Sequence, residues 1–342
     1  MIAFYILIMV LVFGILIFIH EFGHFITARL CGVAVKEFAV GMGPTVFSWN
    51  SKKYGTKYGL RLLPIGGFVS MVGEDEESED ENAFCNKAVW KRMLIVIAGP
   101  LMNLILGFLL MTVLVFGQGT LASTTVAQFR ENAVSSEKLE VGDRILEVDG
   151  TRVHTGNELV YEIMNKGYEP LDLLVIRDGE KLLVEDVSFP TMEDSGVTFG
   201  DYDFIPYAEE ANLPNLFKHA WFRSVSTVKM VFDSLLGLIT GRFGMESVSG
   251  PVGVTQVVGE AARVGWTNLC YIVAVLSINL GVFNMIPFPA LDGGRFLFLA
   301  IEGVRRKPIN RNVEAYINFA GLVLLFSFMI FVTIKDVFKL FG

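Results

Sequence analysis

Residues 20–24 read His-Glu-Phe-Gly-His, an H-E-x-x-H run set in an apolar stretch. Four residues are close to one turn of an α-helix, so His20 and His24 stack on one face and can each give a ring nitrogen to a single metal ion. Glu21 sits about 100° round that helix, within reach of a metal-bound water and out of line with the histidines. This spacing predicts zinc-assisted hydrolysis, with one Zn2+ per chain and Glu21 as the general base. A catalytic zinc takes three protein ligands and keeps one position open, so a third ligand must come from elsewhere in the chain. The setting strengthens the reading: Ile2–Ile19 carries no charge, and Phe22, Phe25 and Ile26 continue the apolar face. At membrane depth a polar group is costly unless paired, and it marks a functional site by default. The plainer alternative is a pair of helix-end histidines at the headgroup boundary.

The elements that must hold these residues are those of a membrane protein. Hydrophobic residues make up 52% of the 342 and charged residues 19%, with a mean hydropathy of +0.51, on the apolar side of soluble averages. A net charge of −8 without a basic stripe argues against nucleic acid as a partner. Cys31, Cys85 and Cys270 are odd in number and have no C-x-x-C spacing, which argues against a disulfide framework and a thiolate zinc site. No Lys or Arg precedes the first apolar run and no small-residue cleavage site follows it, so a retained helix is expected, not a signal peptide.

Four stretches reach the roughly 20 apolar residues that a bilayer requires. They are Ile2 to about Ala28, Met93–Gly117, about Thr267 to Leu291, and Ala315–Ile334. Lys36, Lys52, Lys53, Lys57, Arg61, Lys87, Lys91 and Arg92 lie between the first two, and Arg295, Arg305, Arg306, Lys307 and Arg311 between the last two. Both loops are therefore expected in the cytoplasm. The acidic run from Glu74 to Glu81 carries little weight in that rule and reads as a solvated loop.

Within the first loop, turn residues at Gly41-Met42-Gly43-Pro44 and Pro64-Ile65-Gly66-Gly67 separate strand-like runs at Tyr58–Leu63 and Phe68–Val72. These form a small sheet or paired hairpins, either dipping into the protein beside the site or packed as an ordinary hairpin. In the second span, Gly99-Pro100 allows a kink or a close helix approach, and Asn103 needs a hydrogen-bond partner in lipid. Beyond Gly117 a long segment must lie outside the bilayer on the far side. Its run from Leu139 to Gly150 places a turn, an alternating strand and an Asp-Gly hairpin turn in succession, which resembles a PDZ domain. Glu137-Lys138 stand where the protease-associated form has Ala-Gly. From Pro214 to Gly241 apolar residues recur every three or four positions, a helix lying along the membrane surface or bracing the PDZ-like unit.

The third span ends in Asn284-Met285-Ile286-Pro287-Phe288-Pro289-Ala290-Leu291-Asp292-Gly293-Gly294, where two prolines must break the helix and hold Asp292 on unwound backbone. Spans one and three both run inward, so His20, His24 and Asp292 end on one side of the bilayer. His154 and His219 fall on the other. Asp292 is thus the expected third ligand; a helix-end Asp capping its helix or pairing with Arg295 is the alternative.

H-E-F-G-H together with N-x-x-P-x-P-x-L-D-G, matched at Asn284, Pro287, Pro289, Leu291, Asp292 and Gly293, resembles the site-2 protease family of intramembrane zinc metalloproteases. Gly41-Met42-Gly43, Gly66-Gly67, Gly99-Pro100 with Asn103, and Ser249-Gly250-Pro251-Val252-Gly253 extend the likeness over nearly the whole chain. Within the family it is nearest the bacterial sigma-E-regulating branch, in a form with one PDZ domain.

The resemblance implies a multi-pass protein of the bacterial inner membrane that cuts the transmembrane segment of single-span proteins, such as an anti-sigma factor or a remnant signal peptide, in regulated intramembrane proteolysis. It implies substrate contacts at Asn284, Asn103, Gly66, Gly67 and Phe68, and a PDZ unit that screens substrates by size. Ser70 stands where the family often has Lys. A non-catalytic scaffold built on the PDZ-like unit, or a metal transporter, would be the other classes. The intact ligands and base argue against the first, and the apolar middles of spans one and four against the second.

The expected fold is a multi-span α-helical membrane protein with four transmembrane helices. Residues 1–121 hold the first two and a cytoplasmic β-hairpin loop at 31–90, 122–190 an extracytoplasmic PDZ-like α+β domain, 191–265 a linker and amphipathic surface helix, and 266–342 the last two helices.

Overall fold

The computed structural model describes residues 2–74, 76–194 and 196–341. It begins with α1 (Ile2–Leu30), β1 (Val35–Asn50), β2 (Lys57–Met71) and α2 (Val89–Phe116). Next come β3 (Leu121–Phe129), β4 (Arg144–Val148), β5 (Thr151–Arg152), α3 (Gly156–Lys166), β6 (Leu171–Arg177) and β7 (Glu180–Val187). After β8 (Thr191–Asp194), β9 (Val197–Gly200) and β10 (Phe204–Glu209), the chain is helical: α4 (Leu213–Thr240), α5 (Pro251–Val264), α6 (Trp266–Met285), α7 (Asp292–Arg305) and α8 (Arg311–Phe341). Four of these helices, α1, α2, α6 and α8, are long and apolar enough to cross a membrane. The chain divides into two compact units, Met1–Gly107 with Ser249–Gly342, and Phe108–Val248.

In the first unit the helices approach closely because glycines line their crossings. A Cβ on Gly23 of α1 would stand 2.4 Å from the Ala98 carbonyl oxygen of α2. One on Gly107 of α2 would meet Ile278 of α6 at 2.4 Å, and one on Gly281 of α6 would meet Leu104 of α2 at 2.8 Å. Lipid gives helices no hydrophobic drive to associate, so close van der Waals packing at small residues must hold them together. Behind α1, the Tyr5 ring lies over Gly259 of α5. The start of α5 is fixed by α8, whose buried Asp336 accepts from the Gly253 N–H at 2.8 Å.

The expected break after the third span is present, but earlier than the apolar run suggests. Helix α6 stops at Met285, and Ile286 is already extended, since proline cannot donate a helical hydrogen bond and disfavours helix in the residue before it. The chain re-enters a helix at once. Asp292 is therefore the first residue of α7 and does not sit on unwound backbone. Gly293 and Gly294 permit that sharp restart, because a Cβ at either would fall 2.2–2.3 Å from the carbonyl oxygen of Ile286 or Phe288.

Between α1 and α2 the chain forms two long strands, not several short ones. β1 pairs antiparallel with β2 from Val35↔Met71 to Val40↔Gly67 and again from Thr45↔Arg61 to Asn50↔Lys57. Residues 37–40 also pair with 57–60, so the hairpin doubles back on itself. Bends at Gly41, Gly43 and Gly66, all at positive φ, make this possible. Its inner end packs Val33, Val35 and Met71 against Ala28 and Cys31 at the end of α1 and Ile95 of α2.

The second unit is built on a sheet of order β10-β3-β4-β6-β7, with β5 paired to β4. Val126, Ile145, Val148, Leu159, Ile163, Leu173 and Phe204 fill its core. The Asp-Gly turn forms as expected, Asp149 and Gly150 both having positive φ. Helix α3 begins with a capping box between Thr155 and Glu158. The sheet runs past residue 190, because β10 supplies the strand beside β3.

Helix α4 has one buried face and one exposed apolar face. Leu216, His219, Ala220, Ser224, Thr227 and Val231 are buried, with Tyr161 of α3 donating to Asp233 at 2.6 Å and Lys229 paired to Glu162. Along an adjoining face Phe217, Trp221, Val225, Phe232, Leu236 and Ile239 form an exposed apolar stripe.

Gly281→Val should force α2 and α6 apart and cost about 1–3 kcal/mol, as overpacking does. The readout is the thermal unfolding midpoint in detergent, and an unchanged midpoint would contradict the close crossing.

Candidate active site

The site is assembled where α1, α2 and α7 meet in the first unit. The Nε2 atoms of His20 and His24 lie 3.2 Å apart. Asp292 Oδ2 lies 3.0 Å from the first and 3.4 Å from the second. Two ligands at tetrahedral angles on zinc, with bonds of about 2.0–2.1 Å, are about 3.3 Å apart, so the three observed separations match the edges of a zinc tetrahedron. Among the described residues His20, His24 and Asp292 form the one group of three potential ligands this close together.

The outward nitrogens of both rings are occupied. His24 Nδ1 lies 2.8 Å from the Ile95 carbonyl oxygen and donates to it, which leaves Nε2 as the free lone pair. His20 Nδ1 lies 3.3 Å from the side-chain amide of Asn103. The Asn103 Oδ1 is buried without a partner. Turning the amide by half a rotation lets that oxygen accept from His20 Nδ1–H, which fixes the tautomer in which Nε2 can bind metal.

Space for the group is made by Gly99 of α2. A Cβ there would stand 2.2 Å from His24 Nε2 and 2.9 Å from His20 Nε2. The donor set, the orphaned oxygen and the cleared wall together fit a bound zinc ion. Arg295 does not take Asp292 as a salt-bridge partner; its Nη1 reaches Glu74 Oε1 at 2.5 Å.

Glu21 faces the sheet, and its Oε2 accepts from the Val69 N–H at 3.1 Å. Gly67 lies beside it, and a Cβ on Gly67 would stand 3.5 Å from Glu21 Cγ. A cleft of about 100 Å³ adjoins the triad and is lined by Asn284, Met285, Asp292, Gly293, Phe296, Ile97 and Pro100.

The residues expected to contact substrate separate accordingly. Asn284 lines the cleft and Gly67 borders Glu21. Gly66 makes the bend in β2 at φ +87°. Phe68 is covered by the Arg61 guanidinium, 4.4 Å from its ring centre. Asn103 is 1% exposed, its side-chain amide lies against His20, and its backbone carbonyl accepts from Ser277 at 2.7 Å. Sequence reasoning missed the Ile95 carbonyl and the Gly99 wall. Gly99-Pro100 was the available signal, and it spoke of a kink or a close helix approach, not of a neighbour to the histidine nitrogens.

With this geometry in view, the comparisons with known proteins are decisive. The profile of peptidase family M50 matches residues 8–328. A Clostridium perfringens protein named provisionally as a zinc metalloprotease is 37% identical, over 97% of this chain and 98% of its own. The regulator of sigma-W protease RasP of Bacillus subtilis is 30% identical over 97% of this chain and 98% of its own. The zinc metalloprotease RasP of Geobacillus kaustophilus is 31% identical over 97% of each. The chain belongs to peptidase family M50, the site-2 proteases, and is a zinc metalloprotease of the membrane.

Proposed function

We propose that the protein is an intramembrane endopeptidase that cuts the transmembrane segment of single-span proteins, of the anti-sigma-factor or remnant signal-peptide class, in regulated intramembrane proteolysis. The observation that carries the reading is the triad of His20 Nε2, His24 Nε2 and Asp292 Oδ2 at 3.0–3.4 Å, with Glu21 bonded to a strand beside it. The sigma-W-regulating name of the Bacillus subtilis relative supports the substrate class.

In this mechanism His20, His24 and Asp292 are the residues that would hold the metal. Zinc bound there would supply Lewis-acid polarisation of a peptide carbonyl and would acidify a water molecule. Glu21 accepts the proton of the attacking water on its carboxylate and returns it to the leaving amide nitrogen. Asn103 keeps the His20 ring in one tautomer, as the Ile95 carbonyl does for His24.

A helical substrate hides its carbonyls in its own hydrogen bonds, so it must unwind before cleavage. The 67–71 edge of β2, next to Glu21, offers the replacement pairing, since an added strand satisfies the freed groups. Asn284, at the wall of the cleft, donates to substrate backbone. The unit spanning 121–209 acts as a PDZ-like size filter on the extracytoplasmic side, while the exposed stripe of α4 rests in the membrane interface. The zinc site lies toward the cytoplasmic face, from which water reaches it.

Three substitutions separate these roles. Glu21→Gln should keep zinc and lose cleavage of a single-span substrate by about 10²-fold or more, the scale of a lost general base; cleavage near the parental rate would remove Glu21 from the chemistry. Asp292→Asn should lower zinc content after dialysis, and full retention would take Asp292 out of the ligand set. Asn103→Ala should weaken zinc affinity by about 10–100-fold, the usual cost of losing a ligand's outer partner. Parental affinity with impaired cleavage would instead return Asn103 to the substrate.

A further inference from the structure

The acidic stretch after β2 reads as solvent-exposed, yet its first residue is engaged on two sides. Glu74 Oε2 accepts from the Met71 N–H at 3.2 Å, and Glu74 Oε1 accepts from Arg295 at 2.5 Å. The Glu74 side chain is only 13% exposed. Met71 is the last residue of β2, two positions from Val69, whose N–H holds Glu21. Arg295 lies three residues beyond Asp292, in the opening turns of α7. The contacts thus close a ring: Glu21 of α1 to Val69, along β2 to Met71, through Glu74 to Arg295, back along α7 to Asp292, and from Asp292 to His20 and His24 of α1.

We propose that Glu74 and Arg295 are positioning residues that clamp the β2 edge to the helix carrying Asp292, and so set which substrate peptide bond faces the metal. The inference rests on the protease reading above. Two parts of the site come from separate segments of chain: the strand on which an unwound substrate would align, and the helix that supplies the third ligand. Each is anchored to α1, at Glu21 and at the histidines. Those anchors, with the packing of Met71, tie the strand to α1 and α2 and leave its tie to α7 to the Glu74–Arg295 pair. A charge-assisted pair with one oxygen also tied to the strand backbone supplies that restraint. An exposed pair would contribute little; this one has a nearly enclosed carboxylate and a backbone donor at a fixed position.

The test compares Glu74→Gln, Arg295→Gln and the double variant with the parent in detergent. Three readouts are taken: zinc content, hydrogen exchange of the amides in residues 67–72, and the masses of the fragments from a single-span substrate. The clamp predicts parental zinc content, faster exchange across 67–72, cleavage at adjacent bonds where the parent cuts one, and a turnover lowered about tenfold, as small misplacements of reacting groups do. The double variant should be no worse than the more affected single one, because the two residues share one contact.

Parental exchange in the strand, or a single unchanged cleavage bond, would overturn the proposal. Arg295→Lys keeps the charge without the fork and serves if either Gln variant fails to accumulate; it should show a milder form of the same changes. Exchange is read without substrate, so loss of the protease reading would show as an uncut substrate in the parent and would leave the clamp measurement standing.

Discussion

A carboxylate brought against two imidazoles inside an apolar helix assembly is the constraint on which the rest of the first unit depends. Removing such groups from water costs several kcal/mol unless each finds a partner. Here three of them have one to hand: the Ile95 carbonyl for His24 Nδ1, Asn103 for His20 Nδ1, and the Val69 amide for Glu21 Oε2. What remains unspent are two ring nitrogens and a carboxylate oxygen converging on one point. Such a convergence is unfavourable among lone pairs alone and favourable around a divalent cation, so the packing is organised for the ion.

That convergence also explains the distribution of glycine. Gly99 clears the wall beside the Nε2 atoms of the histidines, Gly23 lets α1 lie on the Ala98 carbonyl, and Gly293-Gly294 let α7 start directly against the turn after α6. Each removes a side chain at the point where two backbones must come within contact distance. Within lipid these contacts also supply the association energy of the helices, so site geometry and helix packing are satisfied by the same residues.

Much of this was legible in the chain. The spacing of His20 and His24 implies a shared helical face, and the Pro287/Pro289 pair implies a helix break just before Asp292, although Asp292 itself opens the next helix. Asp149-Gly150 announces its turn. Less legible were features that depend on contacts distant in sequence. An asparagine in a span announces only that it needs a hydrogen-bond partner, and its approach to His20 is visible in the structure alone. Glu74 looked like the first residue of a solvated acidic run because the partner that encloses it lies 221 residues away. β10 was invisible as part of the sheet, since antiparallel pairing with β3 is a long-range choice that local alternation does not encode. The α4 helix resisted a single reading because its buried polar face and its exposed apolar stripe are both real.

The central claim is that two imidazoles and one carboxylate hold zinc between α1 and α7. X-ray absorption at the zinc edge of the purified, zinc-loaded protein tests it most directly. The account predicts a first shell of nitrogen and oxygen only, at about 2.0–2.1 Å, with the outer scattering of two imidazole rings. A sulfur contribution near 2.3 Å, or the scattering of three or four imidazoles, would contradict it.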